Sequence, residues 1–459
     1  MRLMSSVGLS HFITWIFCIL PFISSFNDGH IKEQAVNLMK KFPLIDGHND
    51  LALQLRKMYN NRLSKINLRT LNSTRTNLEK LKAGRVGAQF WSAYVLCNAQ
   101  DKDAVRLTLE QIDVIKRMCK EYEELELVTS SSGISDSTKI ACLIGLEGGH
   151  SIDSSLGTLR MFYDLGVRYM TLTHTCNTPW AETSATGIHS FYQRGTSLTE
   201  FGKEVIKEMN RIGMIIDLSH TSFNTSRAVL EITKAPVIFS HSAAFALCPR
   251  TRNVPDDILL SIRKNQGLVM VNFYTELIAC GKSANISTVA DHFDQIKMIA
   301  GAEYIGIGGD YDGVNGFPIG LEDASKYPSL IEELLRRGWS EEELGGVLRN
   351  NFLRVFSQVE RVRDEQMSLK PNEEEVPADE VNYACRLDLR ALARNTFLNS
   401  NAQESGRHNP IQVLASLTFF CVYLYGQTLK NSLMQEKHGQ KMRKGLEEKW
   451  ASACTTDIF

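Results

Sequence analysis

Residues 214–241, MIIDLSHTSFNTSRAVLEITKAPVIFSH, hold two short apolar runs on either side of one amphipathic stretch. Met214–Leu218 and Pro236–Ser240 have the length of buried strands, and Thr225–Thr233 between them has helical spacing. A strand, a helix and a second strand in that order make a parallel unit, because a crossover of this length returns the chain in the same direction. Each strand closes on a Ser-His pair, ending in His220 and His241, so polar chemistry starts where the apolar run stops.

The same unit repeats outward in both directions. Strand candidates precede it at Leu44–Ile45, Gly87–Tyr94, Ala141–Leu146 and Arg168–Thr173, and follow it at Gly267–Phe273 and Tyr304–Gly308. Helical patterns at Leu107–Tyr122, Leu156–Leu165, Leu198–Ile212, Asp256–Lys264 and Val289–Ala300 lie between them. Eight strands alternating with helices predict an α/β fold, a closed (β/α)8 TIM barrel. The alternative is an open doubly wound sheet, but no GxGxxG nucleotide loop follows the first strand. Leu330–Arg337 and Ser340–Glu360 read as closing helices, which puts the barrel domain at 30–362.

Composition narrows the function. The chain has 459 residues, 43% hydrophobic and 22% charged, with 51 basic against 52 acidic side chains. No cationic excess is available to neutralise phosphates, so no nucleic-acid partner is expected. With 31 glycines and 11 prolines, collagen-like and low-complexity classes are excluded.

The ends read differently from the middle. Arg2, the apolar stretch Phe12–Ile23 and the small residues Ser24 and Ser25 predict a cleaved signal peptide at 1–25. The apolar stretch is too short for the roughly 20 residues of a membrane span. Sequons at Asn72, Asn224 and Asn285 offer glycan sites in the same compartment. The ten cysteines contain no CxxC, so zinc-ribbon and thioredoxin-like readings fail. Scattered cysteines in an oxidising lumen form disulfides. Setting aside Cys18 in the signal and the two beyond residue 410 leaves an odd number, which points to an intermolecular bridge or free thiols. Beyond the barrel, 363–410 is an acidic, proline-punctuated linker followed by a polar stretch, 411–426 is apolar, and 427–459 is a lysine-rich polar tail.

The chemistry sits at the strand ends. IDGHND places His48 and Asp50 two apart, so on extended chain both emerge on one face. LEGGH ends on Glu147 and His150, LTH on His174, and GGDYDG carries Asp310 and Asp312. Barrel enzymes build their sites on this rim. A single strand-end histidine is ordinarily a satisfied structural residue. That explanation has to be invoked independently for each of these histidines and carboxylates converging on one rim. Five nitrogen and oxygen ligands exceed the three of a mononuclear catalytic zinc site, and suit two ions bridged by one carboxylate and a shared hydroxide. Glycines beside Glu147 and Asp310 permit close approach. Cys176 offers a soft ligand, but a disulfide fits the compartment better.

The stretches IDGHNDL, LEGGHSID, TLTHTCNTPWAE, IDLSH, PVIFSH, RNVPDD and GGDYDG resemble those of the membrane (renal-type) dipeptidases, in family order, from about Phe42 to Glu360. The wording of GAQFWSAYV, HSFY and SKYP is most similar to the second membrane-bound dipeptidase of mammals. The resemblance implies an amidohydrolase-type barrel with two zinc ions per subunit. His48 and Asp50 would hold one ion, His220 and His241 the other, with Glu147 bridging. His174 would contact substrate and steady the tetrahedral intermediate, Arg252 would hold the substrate carboxylate, and Asp310 would act near the water and the substrate amine. It also implies pairs Cys97–Cys176 and Cys248–Cys280, with Cys385 linking a homodimer and Cys119 and Cys142 free and buried.

The implied substrates are cysteinyl-glycine, its disulfide, D-type leukotrienes and, in some members, β-lactams. The implied location is the cell surface, through a C-terminal glycosylphosphatidylinositol anchor. Ser400-Asn401-Ala402 and the run Ile411–Tyr425 fit such a signal, but the polar tail after it does not. At roughly 1.5 Å per residue that run spans about 22 Å, so a short span with a basic tail, or a secreted form, stays open. Two rival readings are another dinuclear-metal amidohydrolase, acting on lactones, phosphoesters or cyclic amides, and a catalytically silent receptor. A Ser-His-Asp hydrolase is disfavoured because no GxSxG elbow occurs.

Overall fold

A computed structural model of the chain describes residues 29–185, 192 and 197–381. The expected signal segment, Cys385, the 411–426 run and the polar tail lie outside the described residues. Nine parallel strands run in chain order: β1 Leu44–Asn49, β2 Val86–Tyr94, β3 Leu125–Leu127, β4 Ile140–Glu147, β5 Val167–Thr171, β6 Ile215–Asp217, β7 Ile238–Ser242, β8 Leu268–Val271 and β9 Ile305–Ile307. Pairing of β2 with both β1 and β4 closes eight of them into a barrel.

The ninth, β3, was not expected. It pairs with the first half of β4, from Leu125 opposite Ile140 to Leu127 opposite Cys142, while β5 takes the second half from Ile144. Every residue of β1, β6, β7, β8 and β9 is buried, as parallel strands covered on both faces must be.

Two layers of apolar contact hold the barrel. Inside it, Phe90, Leu143, Tyr169, Ile215, Ile238 and Met270 form a cluster closed by Phe352 and Phe356 from the helix Asn351–Glu365. The larger layer lies between the strands and the surrounding helices. The expected helix over 340–360 is interrupted: Glu341–Gly345 and Asn351–Glu365 are α-helical, with a π-helical turn at Gly346–Asn350 between them. Gly345 and Gly346 stand at that junction, where glycine weakens the regular ladder.

Three disulfides brace the described residues. Cys97–Cys176 and Cys248–Cys280 pair as the resemblance implied. Cys119 and Cys142, expected to be free, are joined. The helix Ala104–Glu121 packs against β4 and brings the two Cα atoms to 6.4 Å, within bridging range. Asn72, Asn224 and Asn285 are exposed. Among the described residues no helix is long and apolar enough to cross a membrane.

Candidate active site and metal centre

The polar residues singled out from the strand ends meet at one mouth of the barrel. His48 lies in β1, Glu147 ends β4 and His241 lies in β7, so the hydrogen-bonded ladder positions all three. His174, His220 and Asp310 stand three residues past β5, β6 and β9. His220 and Asp310 take left-handed backbone, at φ 67° and 60°. Such strain in non-glycine residues concentrates at functional sites. At Gly313 a Cβ would collide with the Asp50 and Asp310 carboxylates, so the glycine of GGDYDG is required by close approach.

Glu147 is the centre of the cluster. Its Oε2 lies 3.5 Å from His48 Nε2, which itself is 3.0 Å from Asp50 Oδ2. Its Oε1 lies 3.3 Å from His220 Nε2, 3.5 Å from His241 Nε2 and 3.6 Å from His174 Nε2. Donor atoms fall into overlapping sets that can hold a metal: His48, Glu147 and His241; Glu147, His174 and His220; His48, Asp50 and Asp310. By distance alone His174 belongs with the other imidazoles around Oε1.

The donor set behaves as a ligand shell does. Burial pushes the pKa of His174, His220 and His241 well below the ordinary value, helped by Arg252 and by neighbouring imidazoles, His48 among them. All three are therefore neutral, with lone pairs free for a cation. His220 Nε2 and His241 Nε2 face each other at 3.0 Å. Asp50 Oδ1 and His220 Nδ1 are buried without a hydrogen-bond partner.

Burial also opposes charge on His48, but Tyr169, Glu147 and Asp50 outweigh it and hold its pKa well above 6.5. Glu147 is raised, chiefly by burial. Asp310 is pushed up to about 8, again chiefly by burial, with Asp50 and Glu147 adding to it.

Arg252 reaches the same rim from the loop after β7. It donates through Nη2 to the His241 carbonyl at 3.1 Å and through Nη1 to Ser242 Oγ at 3.3 Å. His150, by contrast, turns away: its Nε2 lies 2.9 Å from the Val95 carbonyl, beside the Cys97–Cys176 bridge. Cys176 is held in that bridge and offers no thiolate.

Residue-by-residue reading had missed the outer partners. Tyr169 Oη lies 2.9 Å from His48 Nδ1, and Ser92 donates to Glu147 Oε2 at 2.9 Å. His241 Nδ1 meets Ser240 Oγ at 2.8 Å, and Ser240 in turn donates to Asp217 Oδ2 at 2.6 Å. Such partners fix the tautomer and orientation of a ligating imidazole. Asp217 and Ser240 lie inside IDLSH and PVIFSH; Ser92 and Tyr169 depend on register across the barrel. Tyr94 also stacks on His174, ring centres 4.4 Å apart.

A closed parallel barrel carrying buried imidazoles around a shared carboxylate at its C-terminal mouth defines an amidohydrolase-type, metal-dependent hydrolase. Residues 32–370 match the family model "Membrane dipeptidase (Peptidase family M19)". The chain belongs to that family of metallopeptidases.

Among curated relatives, dipeptidase 3 of Mus musculus is 56% identical over 363 residues, covering 79% of this chain and 74% of that protein. Dipeptidase 3 of Homo sapiens is 57% identical over 359 residues, covering 78% and 74%. These relatives are dipeptidase 3 proteins, not the second mammalian paralogue that the short stretches had suggested.

The barrel of an M19 metallopeptidase, dipeptidase AC, superposes at TM-score 0.64 with 24% identity, covering 69% of this chain and 98% of that one. A Rhodobacter sphaeroides metallopeptidase, liganded with a phosphinate mimic of L-Ala-D-Ala, superposes at 0.63 with 23% identity, covering 69% and 99%. At these identities they establish the fold.

Proposed function

We propose that the chain is a zinc-dependent dipeptidase. Its substrates are dipeptides such as cysteinyl-glycine and its disulfide, and D-type leukotrienes, converted to E-type, with β-lactams as a further amide substrate. The observation that carries the reading is the division of labour at Glu147: Oε2 faces His48, the partner of Asp50, and Oε1 faces His220 and His241, with His174 just beyond them. That division supports two metal sites sharing one carboxylate, with His48 and Asp50 on one side and His220 and His241 on the other. Two zinc ions held there would polarise the scissile carbonyl and lower the pKa of a water.

The remaining work falls to the chain's own residues. Arg252 binds the substrate's terminal carboxylate and sets its register. His174 donates toward the carbonyl oxygen as charge builds on it. Asp310 accepts a proton on its carboxylate and returns it to the leaving amine. Ser92 and Tyr169 hold Glu147 and His48 in place.

The same reading includes a homodimer bridged through Cys385, which Cys385→Ser would resolve as monomer on non-reducing gels. It also includes a route through the secretory pathway to the cell surface, by lipid anchor or short span, or release as a secreted form. Product analysis of zinc-loaded protein against cysteinyl-glycine, cystinyl-bis-glycine, leukotriene D4 and a carbapenem tests the substrate assignment. Turnover of lactones or phosphoesters with none of these would overturn it.

A further inference from the structure

The barrel's other mouth carries a cavity of about 900 Å³ at the N-terminal ends of β1, β2 and β4, far from Glu147 along the strands. Its lining is strongly basic in a chain whose net charge is only -1: seven cationic side chains stand against two glutamates. Lys40 and Lys41 come from the helix over 29–41, and Lys82 and Arg85 flank the start of β2. Lys139 precedes β4, and Arg349 rises from the π-helical turn. Glu124 is held by Arg69 through bonds of 2.6 and 3.0 Å, which leaves six cationic side chains against Glu79.

Three further observations point to a ligand. Arg349 is partly buried, yet its one hydrogen bond among the described residues goes to the Ile134 carbonyl at 2.9 Å, with no carboxylate within 4 Å. Partial burial lowers its pKa, and its remaining N–H donors face the cavity side of that turn without an acidic partner. Arg85 sits in left-handed backbone at φ 57°, strain that a plain surface turn would relieve with glycine. The π-helical turn that carries Arg349 is itself a rare device, frequent at functional sites.

We propose that this cavity is a second binding site, for a small polyanion bearing several phosphoryl or sulfate groups. Arg349 grips one group in bidentate fashion at the base, and Lys40, Lys82, Arg85 and Lys139 gather the others at the rim. At about 900 Å³ the cavity has room for such an anion and is open to solvent on one side. Phosphorylated and sulfated ligands share this chemistry, so the test carries one arm for each.

The full-length protein is titrated in a calorimeter with inositol hexakisphosphate, with a heparin-derived sulfated octasaccharide and with inorganic phosphate. At least one polyanion should bind far more tightly than inorganic phosphate, with affinity falling as salt is raised. The triple variant Lys40→Glu, Lys82→Glu, Lys139→Glu should lose about 30-fold, since each exposed pair is worth a factor of a few. Arg349→Gln should lose affinity without any change in its neighbours, and melting temperatures should stay at the wild-type value. A matched reversal on the outer helices, Lys203→Glu, Lys207→Glu, Lys264→Glu, should change affinity less than about threefold. Preference for one probe identifies the source of the anion. Equal loss in the matched variant, or no polyanion binding below millimolar, would overturn the proposal.

Discussion

If Arg252 grips the free carboxylate one residue beyond the scissile bond, it limits the enzyme to dipeptides. A guanidinium has five N–H donors in a planar fork. Arg252 spends two of them, on the His241 carbonyl and on Ser242 Oγ. Among the described residues no carboxylate comes within 4 Å of it, and burial is the main influence pushing its pKa down. The group is thus a part-buried cation held in place by neutral partners, with donors to spare. A longer peptide, or a C-terminal amide, would present a neutral group there and leave the charge unpaired, at a cost of about 2–5 kcal/mol. That converts to roughly 30- to several-thousand-fold in kcat/KM.

The assay compares a dipeptide with its C-terminal amide, in wild type and in Arg252→Ala. Wild type should discriminate against the amide by a factor in that range. The alanine variant should lose a similar factor on the free acid and most of the discrimination, with bound zinc unchanged. Arg252→Lys, which keeps the charge but not the fork, should fall between. If Arg252→Ala preferred the free acid by the wild-type factor, the carboxylate clamp would lie elsewhere.

Three further outcomes are expected. Chelation should abolish hydrolysis and zinc should restore it; Glu147→Ala should leave a folded barrel, by circular dichroism, that binds less than two zinc ions by elemental analysis and turns over nothing. Burial holds the His150 pKa near 4 against the ordinary 6.5, so the unfolded chain gains a proton before the folded one as pH falls. His150 therefore contributes stability that is present above pH 6.5 and lost on acidification toward pH 4, up to about 3 kcal/mol, and His150→Gln should flatten the fall in melting temperature over that window. Thiol labelling of the denatured, unreduced protein should leave Cys119 and Cys142 unmodified, and replacing both with alanine should cost about 3 kcal/mol in denaturant titrations.

Much of the fold was legible because the eight barrel strands are buried on both faces and therefore read as apolar runs. Leu125–Leu127 escaped because three residues with Glu126 exposed in the middle carry no period, and only the edge of β4 makes them a strand. The π-helical turn escaped because residues 340–360 keep one amphipathic pattern through it. Among the site residues, His48, Glu147, His220 and His241 could be found singly, each at the end of an apolar run. Their convergence on one carboxylate depended on the barrel closing. Tyr169 and Ser92 were invisible for the same reason: each faces its partner only through strand register. Cys119–Cys142 joins a helix to a strand, a pairing that spacing alone does not determine.

How the two sorts of site residue are held in place bears on the chemistry. His48, Glu147 and His241 ride on strands, so the ladder and the outer hydroxyls Tyr169, Ser92 and Ser240 fix them to within a hydrogen bond. His174 and Arg252 have no strand beneath them, and loops ordinarily move more than the elements they connect. Those are the loops the disulfides restrain: Cys176 lies two residues beyond His174 and ties its loop to the one after β2, and Cys248 lies four residues before Arg252 and ties its loop to the one after β8. Metals organise their own ligands, whereas a substrate carboxylate and a developing oxyanion are met only by groups already in position. The covalent braces therefore stand where the proposed substrate contacts need preorganisation and where neither a metal nor a strand supplies it. Reducing those two bridges should accordingly loosen substrate binding before it releases zinc.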